Sequence, residues 1–295
     1  MMTINYLKQA EIDKTKWDYC VENAINCMVY GMSWYLDEVC ENWDGLILDD
    51  YQAVMPLPWK SKFAIKYIYH PFFSQQLGLF FQNQKHNQVD KFIKHIPSKF
   101  LKVELSLNAM NEANSLLTTK RINYVLNTNS GYPELYKAFN ENTKRNIKKG
   151  EKNYSLIRED ISISDFLTLK KQNSVTRLSD RQYDILKSLF AVLIQKKYAK
   201  IVGVSNEEKV LQAAALFVSY KNRIIYLFSA SSEAGKNNSA MFAVVNKVIK
   251  ENSGENKVLD FEGSMIEGIA RFFQGFGAEI ENYYRVKKSS IPFIK

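Results

Sequence analysis

Apolar and polar positions alternate along this chain with two periods, about two residues for strands and 3.6 for helices. In the first half, Trp17–Ala24 and Ser33–Cys40 carry helical spacing. Leu46–Leu48, the polar pair Asp49-Asp50 and Ala53–Leu57 read as a β-hairpin. Tyr67–Tyr69 predicts the next strand, and a polar turn follows at Ser74-Gln75-Gln76. Val89, Phe92, Ile93 and Ile96 share one face of a helix over about Asn87–Ile96, and Lys102–Ser106 reads as a strand.

The second half runs through the same order. Asp165–Gln172 and Arg181–Lys196 are helical. Ser179 and Gln182 form a capping box for the second of these helices, which buries Leu186, Leu189, Phe190 and Leu193. Lys200–Val204 and Leu211–Tyr220 make a hairpin around Asn206-Glu207-Glu208. Strand Arg223–Phe228, polar turn Ser229–Asn238, helix Ser239–Glu251 and strand Lys257–Glu262 complete the series. The pattern predicts two α/β (α+β) lobes, residues 1–128 and 129–295, related by duplication. One large α/β domain is the alternative. At the join, Pro133 opens a helix expected to reach Lys149, with Leu135, Phe139 and Ile147 inward and Gly150 as its stop.

Composition changes this picture little. With 295 residues, 46% of them hydrophobic, and only 12 Gly and 6 Pro, the chain is neither disordered nor collagen-like. Cys20, Cys27 and Cys40 make no disulfide framework and fit a reducing cytoplasm. The first ten residues lack a basic stretch followed by an apolar one, so no signal peptide is expected. Apolar runs such as Ala213–Val218 fall far short of the ~18 residues that a membrane span needs. The expectation is a cytoplasmic protein, peripheral at the inner membrane face at most.

Charge is more informative. The formal net charge is +9, yet Met1–Ser130 balances 13 basic against 13 acidic residues. The remainder, with 27 basic and 18 acidic residues, holds the whole excess. Most of it lies in Lys144, Arg145, Lys148, Lys149 and Lys152, and in Arg285, Lys287, Lys288 and Lys295. Such clusters suit one local anion site or a solvated face, rather than a polyanion track.

The densest chemistry is Asp260-Phe261-Glu262-Gly263-Ser264, continuing through Arg271 to Gly275-Phe276-Gly277. Ser264 and Glu267 have capping-box spacing, so a helix is expected from Met265 to Gly275. Asp260 and Glu262, two apart on a strand, would share one face at its C-terminal end, where α/β sheets place their ligands. They are candidates for proton transfer or for holding an amine, with capping of turn amides as the alternative. Arg271 is a candidate anion contact or a helix-surface ion pair. The turn Ser229–Asn238 places backbone amides and a helix N-terminus where a phosphate fits. His70, Gln75 and Gln76 are candidate substrate contacts, with packing as the alternative. The three histidines have no ligand partners at metal spacing, so no metal site is expected. There is no G-x-S-x-G elbow and no dinucleotide glycine fingerprint.

Tyr226–Ser232, Leu259–Ser264 and Gly268–Tyr284 resemble the C-terminal half of Fem-type members of the GCN5-related N-acyltransferase (GNAT) superfamily. Asn142–Lys149 is similar to the basic helix of those proteins, and His70–Gly78 to their first lobe. The resemblance implies two fused GNAT-like lobes, each a mixed, mostly antiparallel sheet flanked by helices, with the donor site in the second. It implies an N-acyltransferase that uses acyl-CoA as co-substrate on an amine acceptor, a small molecule or a glycan- or lipid-linked envelope precursor. Aminoacyl-tRNA-dependent peptidyl transfer and a non-catalytic binding protein on the same fold are the alternatives. Ser229, Ser231, Ser232, Gly235, Asn237 and Asn238 would hold the donor. Lys144, Arg145, Lys148, Arg271, His70, Gln75 and Gln76 would meet substrate or anion. Glu262, then Asp260, would act as base or amine-positioning group. Two positions depart from the pattern. Phe273 and Gln274 stand where peptidoglycan-branch proteins commonly place lysines, which weighs against tRNA. Ser232 and Asn237 occupy the outer positions of the usual pyrophosphate loop.

Overall fold

A computed structural model describes residues 2–113, 118–154, 156–173, 178–263 and 265–290. The chain starts with β1 (Ile4–Leu7), α1 (Lys14–Glu22), α2 (Ser33–Val39), β2 (Trp43–Leu48), β3 (Ala53–Lys62) and β4 (Ile65–Ile68). Then come β5 (Phe80–Phe81), α3 (Val89–Lys94), β6 (Phe100–Ser106) and β7 (Thr118–Asn127). Helices α4 (Tyr132–Ala138) and α5 (Glu141–Asn153), β8 (Ile157–Arg158), α6 (Ile163–Asn173) and α7 (Asp180–Gln195) follow. The remainder is β9 (Ala199–Ser205), β10 (Leu211–Tyr220), β11 (Arg223–Ser231), α8 (Glu233–Asn237), α9 (Ala240–Asn252), β12 (Val258–Asp260), α10 (Glu267–Gly275) and β13 (Glu279–Ser289).

Two compact units form. One is Met1–Arg121 with Asn282–Lys295, the other Ile122–Glu281. This differs from the expected boundary at 128/129, because strand pairing decides it. Val125–Asn127 of β7 pair with β12 in the second unit. Arg285–Ser289 of β13 pair with β6 in the first.

Each unit is a mixed, mostly antiparallel sheet with helices on it. In the first, β2, β3 and β4 run antiparallel in sequence, β6 joins β4 in parallel, and β13 lies antiparallel to β6. In the second, β9, β10 and β11 run antiparallel, β12 joins β11 in parallel, and β7 lies antiparallel to β12. Each parallel pair has a helix in its crossover, α3 or α9, as parallel strands require. Trp17 and Trp43, both fully buried, pack at 5.0 Å in the first core. The second core is aromatic, with Phe261 stacked on Phe273 at 4.7 Å and Phe139 edge-on to Phe276 at 5.3 Å.

Most predicted elements form where the periodicity put them, including the α7 capping box, in which the Gln182 N–H donates to Ser179 Oγ at 3.3 Å. Five expectations change. The helix expected over Pro133–Lys149 is two helices. Phe139 is extended and turns its buried ring toward Phe276, and Asn140 caps a new helix by accepting the Thr143 N–H at 2.8 Å. Gly150 does not stop α5. It lies within it because a Cβ there would come within 2.7 Å of the Ser239 carbonyl on the packed α9. The turn Ser229–Asn238 is not a loop, since β11 continues through Ser231 and α8 fills the rest. Strand β12 ends at Asp260 and α10 starts at Glu267 rather than Met265. The capping residue expected there, Ser264, lies outside the described residues. Among the described residues no helix is long and apolar enough to cross a membrane.

Candidate functional site

The site begins where two parallel strands part. β11 and β12 are in register only from Arg223–Val258 to Ile225–Asp260. β11 then runs on through Ser231, whereas the other chain leaves the sheet after Asp260. A buried ion network fixes that exit. Asp260 is fully buried and takes Arg223 Nη1 at 2.5 Å, Asn123 Nδ2 at 3.0 Å and the Glu262 N–H at 2.8 Å. Arg223 also reaches both oxygens of Glu281, at 2.8 and 3.2 Å. Burial disfavours the guanidinium charge, but the Asp260 and Glu281 carboxylates more than offset it, so the Arg223 pKa is raised. The backbone reverses at Glu262 and Gly263, with φ of 57° and 58°. Asp260 and Glu262 therefore do not share a strand face. Asp260 ties the exit down, and the half-buried Glu262 stands just past the parting point.

Between β11 and α10 opens a cleft of about 650 Å³, a size ordinary for a small-molecule site. Tyr226, Phe228, Ser229, Ala230 and Ser231 form one wall. Ile266, Gly268, Ile269, Phe272 and Phe273 form the other. Ser239, Ala240, Met241 and Phe242 close one end. The N-cap of α9 is Ser239, in left-handed conformation and without a side-chain cap bond; its Oγ donates to Asn146 Oδ1 at 2.7 Å. The first amides of this 13-residue helix therefore lack a side-chain cap where the cleft ends. Among the described residues two lining side chains are charged, Lys170 and Lys236, and none is acidic. Lys170 is half-buried, donates to the Ser229 carbonyl at 3.1 Å and lies 4.6 Å from the Phe228 ring centre. Burial lowers its pKa.

Half of the expected donor residues line this cleft. Ser229, Ser231 and Gly235 do. Gly235 is there through necessity, since a Cβ would sit 2.3 Å from the Gln212 carbonyl. Ser232 caps α8 by accepting the Gly235 N–H and donates to Gln212 Oε1 at 2.6 Å. Asn237 is exposed, and Asn238 faces Asn153 at 3.5 Å. Neither lines the cleft, and nor do Asp260, Glu262 or the exposed Arg271, which sits 3.9 Å from Glu267. On α5, Lys144 pairs with Glu141 at 3.0 Å, Arg145 donates to Asn142, and Lys148 is exposed. Part of the C-terminal cluster is neutralised, because Arg285 and Lys287 both approach Glu104. Lys170, Met241, Ile266 and Ile269 line the cleft without a sequence signal for it. Lys170 sits beside Lys171 near a helix end and reads as solvated, and nothing local marks it as turned inward.

The sequence matches no family model and no curated protein. Solved structures do share the fold. FemX superposes with a TM-score of 0.68 at 10% identity, over 95% of this chain and 96% of that one. The chain has a Fem-type, GNAT-like fold. A Bacteroides thetaiotaomicron protein of unknown function shares this fold at TM-score 0.60 and 10% identity, covering 98% of this chain and 100% of that one. L-PGS from Bacillus licheniformis does so at 0.52 and 11%, covering 85% of each chain.

In the first unit of this Fem-type fold, His70, Gln75 and Gln76 hold one another and the backbone. Gln76 is fully buried, accepts the Ala109 N–H at 2.7 Å and donates to Gln75 Oε1 at 2.9 Å. His70 Nε2 meets the Ser74 carbonyl at 2.8 Å and Nδ1 meets the Ser106 N–H at 3.3 Å. A carbonyl needs a donor and an N–H needs an acceptor, which fixes the neutral Nε2–H tautomer. Burial lowers the His70 pKa to about 4, against the upward pull of its bond to Ser74. The unfolded chain, with His near 6.5, therefore takes a proton first. Stability contributed by neutral His70 is full above pH 6.5 and lost as pH falls from there toward 4. The loss approaches ~3 kcal/mol. Urea midpoints of the wild type and His70→Gln from pH 7 to 4 should have different slopes; parallel curves would rule this out.

Proposed function

We propose that the second unit is an N-acyltransferase that moves an acyl group from a phosphate-bearing thioester, acyl-CoA, to an amine. One observation carries the reading: parallel strands β11 and β12 part after Ile225 and Asp260, beside a cleft that ends at the uncapped N-terminus of α9. An uncapped helix start favours the donor's phosphates, and Lys236 adds charge at the same end. The thioester then lies along β11. The acceptor amine attacks its carbonyl, the C–N bond forms, the C–S bond breaks, and the amine proton ends on the departing thiolate. Glu262 relays that proton or holds the amine, directly or through a water. Backbone N–H groups beside the reacting carbonyl would steady its developing oxyanion. Acceptors in this reading are amines of small molecules or of envelope precursors.

The test is binding. CoA at about a hundred times its Kd should raise the melting temperature by roughly 5 °C or more. No shift with CoA or any acyl-CoA would reject this donor. A second reading, transfer from aminoacyl-tRNA, draws on the exposed basic residues Arg145, Lys148, Lys149 and Lys152 of α5, the helix that packs on α9. It predicts tRNA affinity that falls steeply with salt and drops at least tenfold in Arg145→Glu/Lys148→Glu. Salt-independent affinity, or none at low salt, excludes it.

A further inference from the structure

The walls of the cleft say more than its phosphate end does. On the α10 side, Ile266, Ile269, Phe272 and Phe273 present no polar side chain. On the β11 side Phe228 does the same, beside the polar Tyr226, Ser229 and Ser231. Ile266 and Ile269 remain 64% and 41% exposed although they line a concavity, so water wets apolar surface there. Apolar surface exposed inside a concavity is what an apolar ligand group would cover. Among the described residues that line the cleft, the charged side chains are two lysines and none is acidic. A polyanion therefore suits the Ser239 end, and the α10 side suits a neutral, apolar chain whose polar end meets Lys170 and the β11 side.

We propose that the acyl group this site selects is an apolar chain longer than acetyl, lying along α10 against Ile266 and Ile269. This rests on the acyltransferase reading above and narrows its substrate class. Lys170, beside the Ser229 carbonyl, stands where the chain's carbonyl end meets β11. Small acyl groups would leave Ile266 and Ile269 wet, so affinity should follow chain length.

Titration calorimetry of the full chain against CoA, acetyl-, hexanoyl- and decanoyl-CoA, and decanoyl-pantetheine tests this. Each methylene entering the cleft should tighten binding roughly two- to four-fold, so hexanoyl-CoA should bind at least about tenfold tighter than acetyl-CoA. Ile269→Ser, at a part-exposed position, should shrink that gain to under about threefold. Equal affinity for acetyl- and decanoyl-CoA overturns the inference while leaving the donor reading in place. Binding of decanoyl-pantetheine without any acyl-CoA supports the chain site and removes CoA as donor. If neither decanoyl ligand binds, the chain site does not exist.

Discussion

Replacing Arg223 with methionine should destabilise the protein by about 3–5 kcal/mol. The substitution keeps the apolar stem and removes the charge that neutralises Asp260 and Glu281, whose side chains are 0% and 22% exposed. Two carboxylates would then share one Asn123 amide. A buried pair contributes little net stability when intact, because desolvation cancels much of its attraction. Breaking it from one side is expensive because the surviving charge stays buried. Urea denaturation at pH 7 measures the loss. Asp260→Asn in the same chain should recover part of it, since these sites interact directly. A midpoint within ~0.5 kcal/mol of wild type would show that water reaches the network and that Asp260 does not fix the exit of β12.

Glu262→Gln should lower kcat about 10²- to 10⁴-fold on an amine acceptor, with donor affinity nearly unchanged. The side chain keeps its size and loses the ability to take a proton. The residue's backbone N–H still bonds Asp260, so the left-handed corner should persist. Steady-state kinetics with donor Kd measured in parallel gives the answer. A normal kcat with normal binding would leave deprotonation of the amine to solvent.

How much of this was visible in the sequence depends on the range of the forces involved. Local periodicity located most helices and strands, because patterns such as Leu186, Leu189, Phe190 and Leu193 state their own buried face. The Ser179–Gln182 capping box is equally local. The break at Phe139 was not legible, since it rests on a ring contact with Phe276, far along the chain. Gly150 has the sequence signature of a helix stop, yet its meaning comes from the Ser239 carbonyl across a helix packing. Among site residues, polarity drew notice to Ser232 and Asp260, whose hydrogen-bonding capacity is taken up in holding the fold. The cleft itself is made mainly of apolar side chains and backbone, which look like core in a sequence. Lys170 was hidden for the opposite reason, because a lysine near a helix end reads as surface.

The pairing of β6 with residues 285–289 has a consequence for synthesis. As a ribosome makes this chain, β6 emerges about 180 residues ahead of its partner strand. At about 5–20 residues per second, one edge of the first sheet waits roughly 10 to 40 s for its neighbour. An open edge is a template for wrong pairing with other chains. Slow translation, or a stall between β6 and β13, should therefore raise aggregation more than the finished protein's stability would suggest.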